Sequence, residues 1–231
     1  MGLSYFQLQT ADLESIAIIQ NDSHSISYKE LLGHADCIAK LISKRTLTFI
    51  LCTNTIASVV GYVGFLRNDI VPVLVDSELD SELLQKLIKT YEPAYIWSPE
   101  ARLHDLDGTV VYSYSGYSLL RTAYPEEIIL HPDLGLLLTT SGSTGSPKLV
   151  RQSYRNIEAN TNSIIEYLGI VSSDRPITTL PMSYTYGLSI LNSHLVAGAT
   201  ILMTEHTLMQ KEFWSFLKEQ KATTFGGVPY T

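Results

Sequence analysis

Three stretches of this chain, LTFILC at Leu47–Cys52, VPVLV at Val71–Val75 and AYIW at Ala94–Trp97, are apolar almost continuously rather than at alternate positions. A strand with one face in water alternates apolar with polar, so a continuous run must be covered on both sides. Helices crossing between parallel strands supply that cover. The intervening segments fit the role: Ile56 to Arg67 reads as an apolar helix and Ser81 to Lys89 as an amphipathic one. The expectation is an α/β fold, a largely parallel sheet flanked by helices, with ligands beyond the carboxyl ends of the strands.

Upstream, SIAIIQ, a turn at NDS and HSISY read as two short strands. Ser27 and Glu30 then form an S-x-x-E capping box, and Leu31, Leu32, Ala35, Ile38, Ala39 and Ile42 recur at helical spacing on one face. The segment from Glu100 to Asp133 is less regular: VVYSY reads as a strand and the polar stretch around RTAYPEE as a surface connection. With no repeat, low-complexity tract or long linker, the chain reads as one domain.

Composition narrows the partners. The chain has 231 residues, 45% hydrophobic and 17% charged, with 16 Lys plus Arg against 23 Asp plus Glu, a formal net charge of −7. Its basic residues form no cluster that could track a phosphate backbone, which argues against nucleic acid. A small anion such as ATP is still admissible, because its binding depends on local donors. No stretch is long enough to span a membrane, and the start has no leader pattern. Cys37 and Cys52 lack metal-ligand or CxxC spacing and read as buried free thiols, so the expected location is cytoplasmic.

The passage LGLLLTTSGSTGSPKLVRQSYRN changes character abruptly. An apolar strand runs into Thr140, Ser141, Gly142, Ser143, Thr144, Gly145 and Ser146, followed by Pro147 and Lys148. The glycines let successive N–H groups point into one concavity, the hydroxyls add donors, and Lys148 brings a compact positive charge: features suited to phosphate oxygens. The spacing is not that of a Walker A loop, because Gly142 and Gly145 are too close and Pro147 precedes the lysine. On composition alone a flexible surface connection is an equally good reading.

TSGSTGSPK, Thr140 to Lys148, agrees at every specified position with [ST]-[ST]-G-[ST]-T-G-x-P-K, the signature loop of the adenylate-forming superfamily, and the chain resembles that family over nearly its whole length. SISYKELLGHADCIAKLI and GFLRNDIVPVLVDSELDSELLQKLI look like earlier family segments, and LVRQSYRN resembles the strand and helix after the loop, with Tyr154 where histidine is frequent. TTLPMSYTYGLS is similar to the motif approaching the acyl pocket: Leu180, Pro181, Tyr186 and Gly187 fit, whereas Tyr184 stands where a histidine or another gating aromatic is frequent. TTFGGVPYT resembles the strand ending in Gly-Val-Pro, here Gly227, Val228 and Pro229.

The resemblance implies an ATP-dependent ligase that forms an acyl-adenylate and passes the acyl group to coenzyme A or an acyl carrier protein. It implies phosphate binding by Thr140, Ser141, Gly142, Ser143, Thr144, Gly145 and Lys148, with Mg²⁺ met by Thr144, and an acyl pocket at Tyr184, Tyr186, Gly187 and Gly227. Residues 1–231 would be part of the amino-terminal AMP-binding (adenylation) domain, lacking a later subdomain and a carboxy-terminal domain, and alone not catalytically competent. A shortened relative binding a nucleotide or a protein partner is the alternative. His194 and His206 show no metal-ligand spacing, and Asp76, Glu78, Asp80 and Glu82 read as capping and solubility rather than as a catalytic pair.

Overall fold

The computed structural model describes Leu8 and residues 12–139 and 148–228. In order these form β1 (Ile16–Gln20), β2 (Ser25–Ser27), α1 (Tyr28–Ala39), β3 (Leu47–Cys52), α2 (Ile56–Arg67), β4 (Val71–Asp76), α3 (Ser81–Tyr91) and β5 (Tyr95–Pro99). A short 3₁₀ helix (Glu100–Asp105) leads to β6 (Thr109–Tyr114), β7 (Tyr117–Arg121), β8 (Leu134–Thr139), β9 (Leu149–Ser153) and α4 (Tyr154–Leu168). Then come β10 (Pro176–Ile177), α5 (Thr185–Val196), β11 (Ile201–Met203), α6 (Lys211–Glu219) and β12 (Thr224–Phe225).

The strands make two sheets. A seven-stranded sheet runs β6-β7-β5-β3-β4-β8-β9, parallel through β5-β3-β4-β8 and antiparallel at β6, β7 and β9. A five-stranded sheet runs β12-β10-β11-β1-β2, parallel except for β2. The continuous apolar runs are explained by where successive residues go. In β3, Phe49 and Leu51 pack outward with Val73 and Val75 against Leu84, Leu87 and Ile88 of α3, while Ile50 and Cys52 face inward. The inner core takes residues from α1, α2, α4 and α5 and from both sheets, so these helices lie between the sheets. Beyond the five-stranded sheet, Phe213 and Phe216 of α6 cover Ile177 and Leu202. The order of layers is therefore helix, sheet, helices, sheet, helix.

α2 is buried all round, as its sequence demanded, and it sits close to both neighbours. A Cβ on Gly64 would meet the Ala35 carbonyl oxygen of α1 at 2.5 Å, and one on Gly61 would strike the Trp97 ring, whose Nε1 donates to Ala57 O at 2.9 Å. Ser27 caps α1 with the expected reciprocal bonds to Glu30, and Asp80 caps α3 by accepting from the amides of Glu82 and Leu83.

Two expectations need correction. The stretch from Glu100 to Asp133 is not merely surface connection: β6 and β7 form a hairpin added antiparallel to β5, and Tyr117, Leu119 and Leu120 are buried. The turn Ser115-Gly116 has positive φ at both residues, the geometry that lets two strands close on a two-residue loop. Cys52 is a buried free thiol as expected, but Cys37 is exposed, because it falls outside the face of α1 that carries Leu31, Ala35 and Ile38.

Candidate active site

The parallel strands of both sheets end on the same side of the molecule. Cys52 at the end of β3, Asp76 at the end of β4, Thr178 after β10 and Thr204 after β11 all line one cleft of about 650 Å³. Its walls are held by side chains bonded to backbone. The Thr178 hydroxyl donates to Thr204 O at 3.2 Å and accepts from Thr204 N at 3.0 Å, and Asn54 bridges Leu180 O and Met182 N. Tyr117 reaches across from β7, donating to Leu51 O at 2.9 Å and accepting from Thr53 N at 3.1 Å. The hairpin that looked like surface connection thus braces the carboxyl end of β3.

Beside this cleft stand the roots of the loop from Thr140 to Pro147. Thr139 pairs with Leu149 and Leu138 with Val150, and the Thr139 hydroxyl lies 3.3 Å from Leu74 O of β4. The connection therefore leaves β8 where the parallel strands end. Thr140, Ser141, Gly142, Ser143, Thr144 and Gly145 themselves lie outside the described residues. Lys148, at the foot of β9, is described and exposed.

The second sequence motif meets the first. α5 begins at Thr185 with Tyr184 as its N-cap, and no side chain caps the free amides there. Leu138, next to the loop's root, and Gln152, further along β9, share a smaller cavity, about 230 Å³, with Thr185, Leu188 and Ser189 of α5. Tyr184 and Tyr186 are half exposed. A Cβ on Gly226 would lie 3.2 Å from the Tyr186 hydroxyl, which brings Tyr186, Gly226 and the adjoining Gly227 into one neighbourhood. Gly187 is buried beneath the preceding turn: a Cβ there would lie 2.9 Å from Leu180 O. Its role is thus to let the chain pass.

Other candidates resolve into structural parts. His194 is buried, its Nδ1 lies 2.8 Å from Ile190 O, and burial pushes its pKa below the ordinary value, leaving the ring neutral. His206 lines the larger cleft, with Nε2 at 3.0 Å from the Asn21 amide. Tyr154 starts α4 near the amino end of β8, donating to Asp69 Oδ1 at 3.0 Å and accepting from Arg45 at 3.2 Å. Burial raises the Cys52 thiol well above its usual range, so it stays protonated and inert. Glu205, at the cleft, has its carboxyl pKa raised by desolvation and by neighbouring Glu78. Among the described residues, no group of three His, Cys, Asp or Glu side chains could hold a metal ion.

Sequence reasoning missed the polar lining of the smaller cavity: Gln152, Asn156, Asn160, Thr185, Ser189 and Asn192. A signal was there. Asn156 and Asn160 are four apart on α4, and Thr185, Ser189 and Asn192 recur at helical spacing on one face of α5.

Comparison with known proteins places this geometry. Residues 7–231 match the family described as AMP-binding enzyme, and the chain belongs to it. Its fold is that of the amino-terminal domain of adenylate-forming enzymes. O-succinylbenzoate coenzyme A synthetase from Bacillus subtilis, in complex with AMP, superposes with a TM-score of 0.78 at 18% identity, over 100% of this chain and 62% of that one. Oxalate–CoA ligase of Arabidopsis thaliana is 34% identical over 106 residues, 45% of this chain and 21% of the relative. D-alanine–D-alanyl carrier protein ligase of Listeria welshimeri is 22% identical over 197 residues, 79% of this chain and 39% of the relative. The chain spans less than half the length of these curated relatives.

Proposed function

We propose that this chain is the first part of the amino-terminal domain of a cytoplasmic ligase that activates a carboxylic acid with ATP and passes the acyl group to the thiol of coenzyme A or of a carrier protein. The later subdomain and carboxy-terminal domain would complete the site. The observation that carries the reading is the meeting of two motifs: the roots of TSGSTGSPK stand at the carboxyl ends of the parallel strands, against the first turns of α5. Relatives named as CoA and carrier-protein ligases support the choice of acceptors.

In the first step, an oxygen of the acid's carboxylate bonds to the α-phosphorus of ATP. The bond to the β-phosphate oxygen breaks, and pyrophosphate leaves with the electron pair. In the second, the thiol sulfur bonds to the acyl carbon, loses its proton, and AMP departs. Amides and hydroxyls of Thr140, Ser141, Gly142, Ser143, Thr144 and Gly145, with the Lys148 ammonium, would hold the β- and γ-phosphates and then the departing pyrophosphate. The donor set fits a triphosphate, with exposed Lys148 at the rim. Mg²⁺ would ride on the phosphates, with the Thr144 hydroxyl as the ligand from this chain, and would share the charge that develops there. Tyr184, Tyr186 and Gly227 would border the acyl group, with Gly187 shaping the turn beneath.

The test is acid-dependent exchange of pyrophosphate into ATP by the complete gene product, over a broad panel of carboxylic acids. Exchange with one acid class supports the reading. No exchange with any acid, despite nucleotide binding, would leave a binding protein without turnover and overturn it.

A further inference from the structure

The turn between β3 and α2 reaches the segment before α5 through one carboxamide. Asn54 donates from Nδ2 to Leu180 O at 3.2 Å and accepts at Oδ1 from Met182 N at 3.3 Å, holding the chain on both sides of Pro181. The contact also joins the sheets: Asn54 follows β3 of the seven-stranded sheet, whereas residues 180–182 lead from β10 of the five-stranded sheet to α5. Asn54 is itself held through its neighbours. The Thr53 and Thr55 hydroxyls lie 2.8 Å apart, the Tyr117 hydroxyl accepts from Thr53 N, and the Thr55 hydroxyl accepts from Ser58 N as the cap of α2.

What residues 180–182 fix is the start of α5. No side chain caps that helix, and Tyr184 N donates instead to Pro181 O at 3.0 Å. Further along, Leu188, Leu191 and Leu195 are buried and hold the helix through the core, but Tyr184 and Tyr186 are half exposed and have no such hold. Their placement comes from the turn before them. Gly187 closes the arrangement from the other side, since a Cβ there would strike Pro181 O. The same segment is tied to β12's end, where the Thr179 hydroxyl donates to Gly226 O, beside the Tyr186 hydroxyl.

Given the function proposed above, in which Tyr184 and Tyr186 border the acyl group, we infer that Asn54 is a positioning residue for the acid. Its carboxamide keeps the two rings in one arrangement. Without it, residues 180–182 lose both of its ties, the rings are no longer fixed, and the acid binds less often in a reactive pose. The phosphate-binding loop is rooted elsewhere, where Thr139 of β8 pairs with Leu149 of β9, so its hold on ATP does not pass through Asn54.

The experiment is pyrophosphate exchange by the complete gene product with its preferred acid, for Asn54→Ala and Asn54→Asp, each alone and together with Tyr184→Ala and Tyr186→Ala. Asn54→Asp is nearly isosteric and keeps the acceptor for Met182 N while losing the donor to Leu180 O, so it carries the test should Asn54→Ala not fold. The expected result is kcat/KM for the acid at least about tenfold lower in either variant, with KM for ATP changed by less than about twofold. With both tyrosines removed, losing Asn54 should lower kcat/KM by less than about threefold, because the residues act as one unit. Equal losses toward acid and ATP, or losses that multiply across the two places, mark a part of the fold and overturn the inference. So do an unchanged kcat/KM for the acid on removing Asn54 or the tyrosines, and failure of both Asn54 variants to fold; each leaves the ligase reading standing. Exchange with no acid by the unsubstituted protein overturns the ligase reading and the inference with it.

Discussion

At the residue scale, the stretch from Thr140 to Lys148 stands out as glycines, hydroxyls and a lysine directly after an apolar run, but it is the match to the family signature, not composition, that favours phosphate binding over a plain surface connection. Lys148 is exposed at the foot of β9, so Lys148→Ala should leave the melting temperature nearly unchanged. One charge-assisted hydrogen bond is worth about 1.5–3 kcal/mol, so pyrophosphate affinity in the complete protein should fall by about tenfold or more in calorimetry. Equal affinities would remove the lysine from the site. The cavity lining was harder to read, since Asn156, Ser189 and Asn192 carry no motif and a polar residue on a helix is normally solvated. His194 makes a separate prediction. Its folded pKa lies below 6.5, so the unfolded chain binds the proton first. Stability should fall as pH drops through about 6.5 and level off below the folded value, and His194→Gln should flatten that part of the urea-denaturation profile.

At the scale of elements, the continuous apolar runs and the α2 boundaries followed from pattern alone, and the α1 capping box appears as read. The β6–β7 hairpin did not, although Ser115-Gly116 is a turn dipeptide between runs that carry Tyr112, Tyr114, Tyr117 and Leu119. β6 is legible as VVYSY, but its buried partner β7 is not, because YSLLR is a run of five residues, too short for its pattern to mark a strand. The second sheet was hidden for a related reason, since β10, β11 and β12 are each three residues or fewer. Periodicity has nothing to work on in so short a run. α2 offers a firm test of element packing. At Gly64 the neighbour is rigid backbone of α1, so Gly64→Ala should force the two helices apart and cost about 1–3 kcal/mol in chemical denaturation, despite the better helix propensity of alanine. A neutral or stabilising result would mean that the helices can separate freely.

For the whole molecule, the layered order means that the two sheets do not own separate interiors. α1, α2, α4 and α5 bury one side against Ile18, Ile201 and Met203 and the other against Ile50, Leu74 and Trp97, in a single continuous cluster. Loss of either sheet would strip cover from the same helices, so the sheets should unfold together. The two tryptophans allow this to be checked, because they report from different layers. Trp97 is fully buried between α2 and the seven-stranded sheet, while Trp214 lies on α6, outside the five-stranded sheet, with its Nε1 donating to Leu208 O at 2.8 Å. Single-tryptophan versions made by Trp214→Phe and Trp97→Tyr can each be followed by fluorescence, alongside circular dichroism of the same sample. Within each variant the fluorescence and dichroism transitions should coincide in midpoint and slope, whatever the shift each substitution causes in overall stability. If the Trp214 signal instead moves at lower denaturant than the dichroism, α6 and its sheet open on their own. The carboxyl-end cleft, whose walls come from both sheets, would then be a joint between independently moving halves rather than a fixed site.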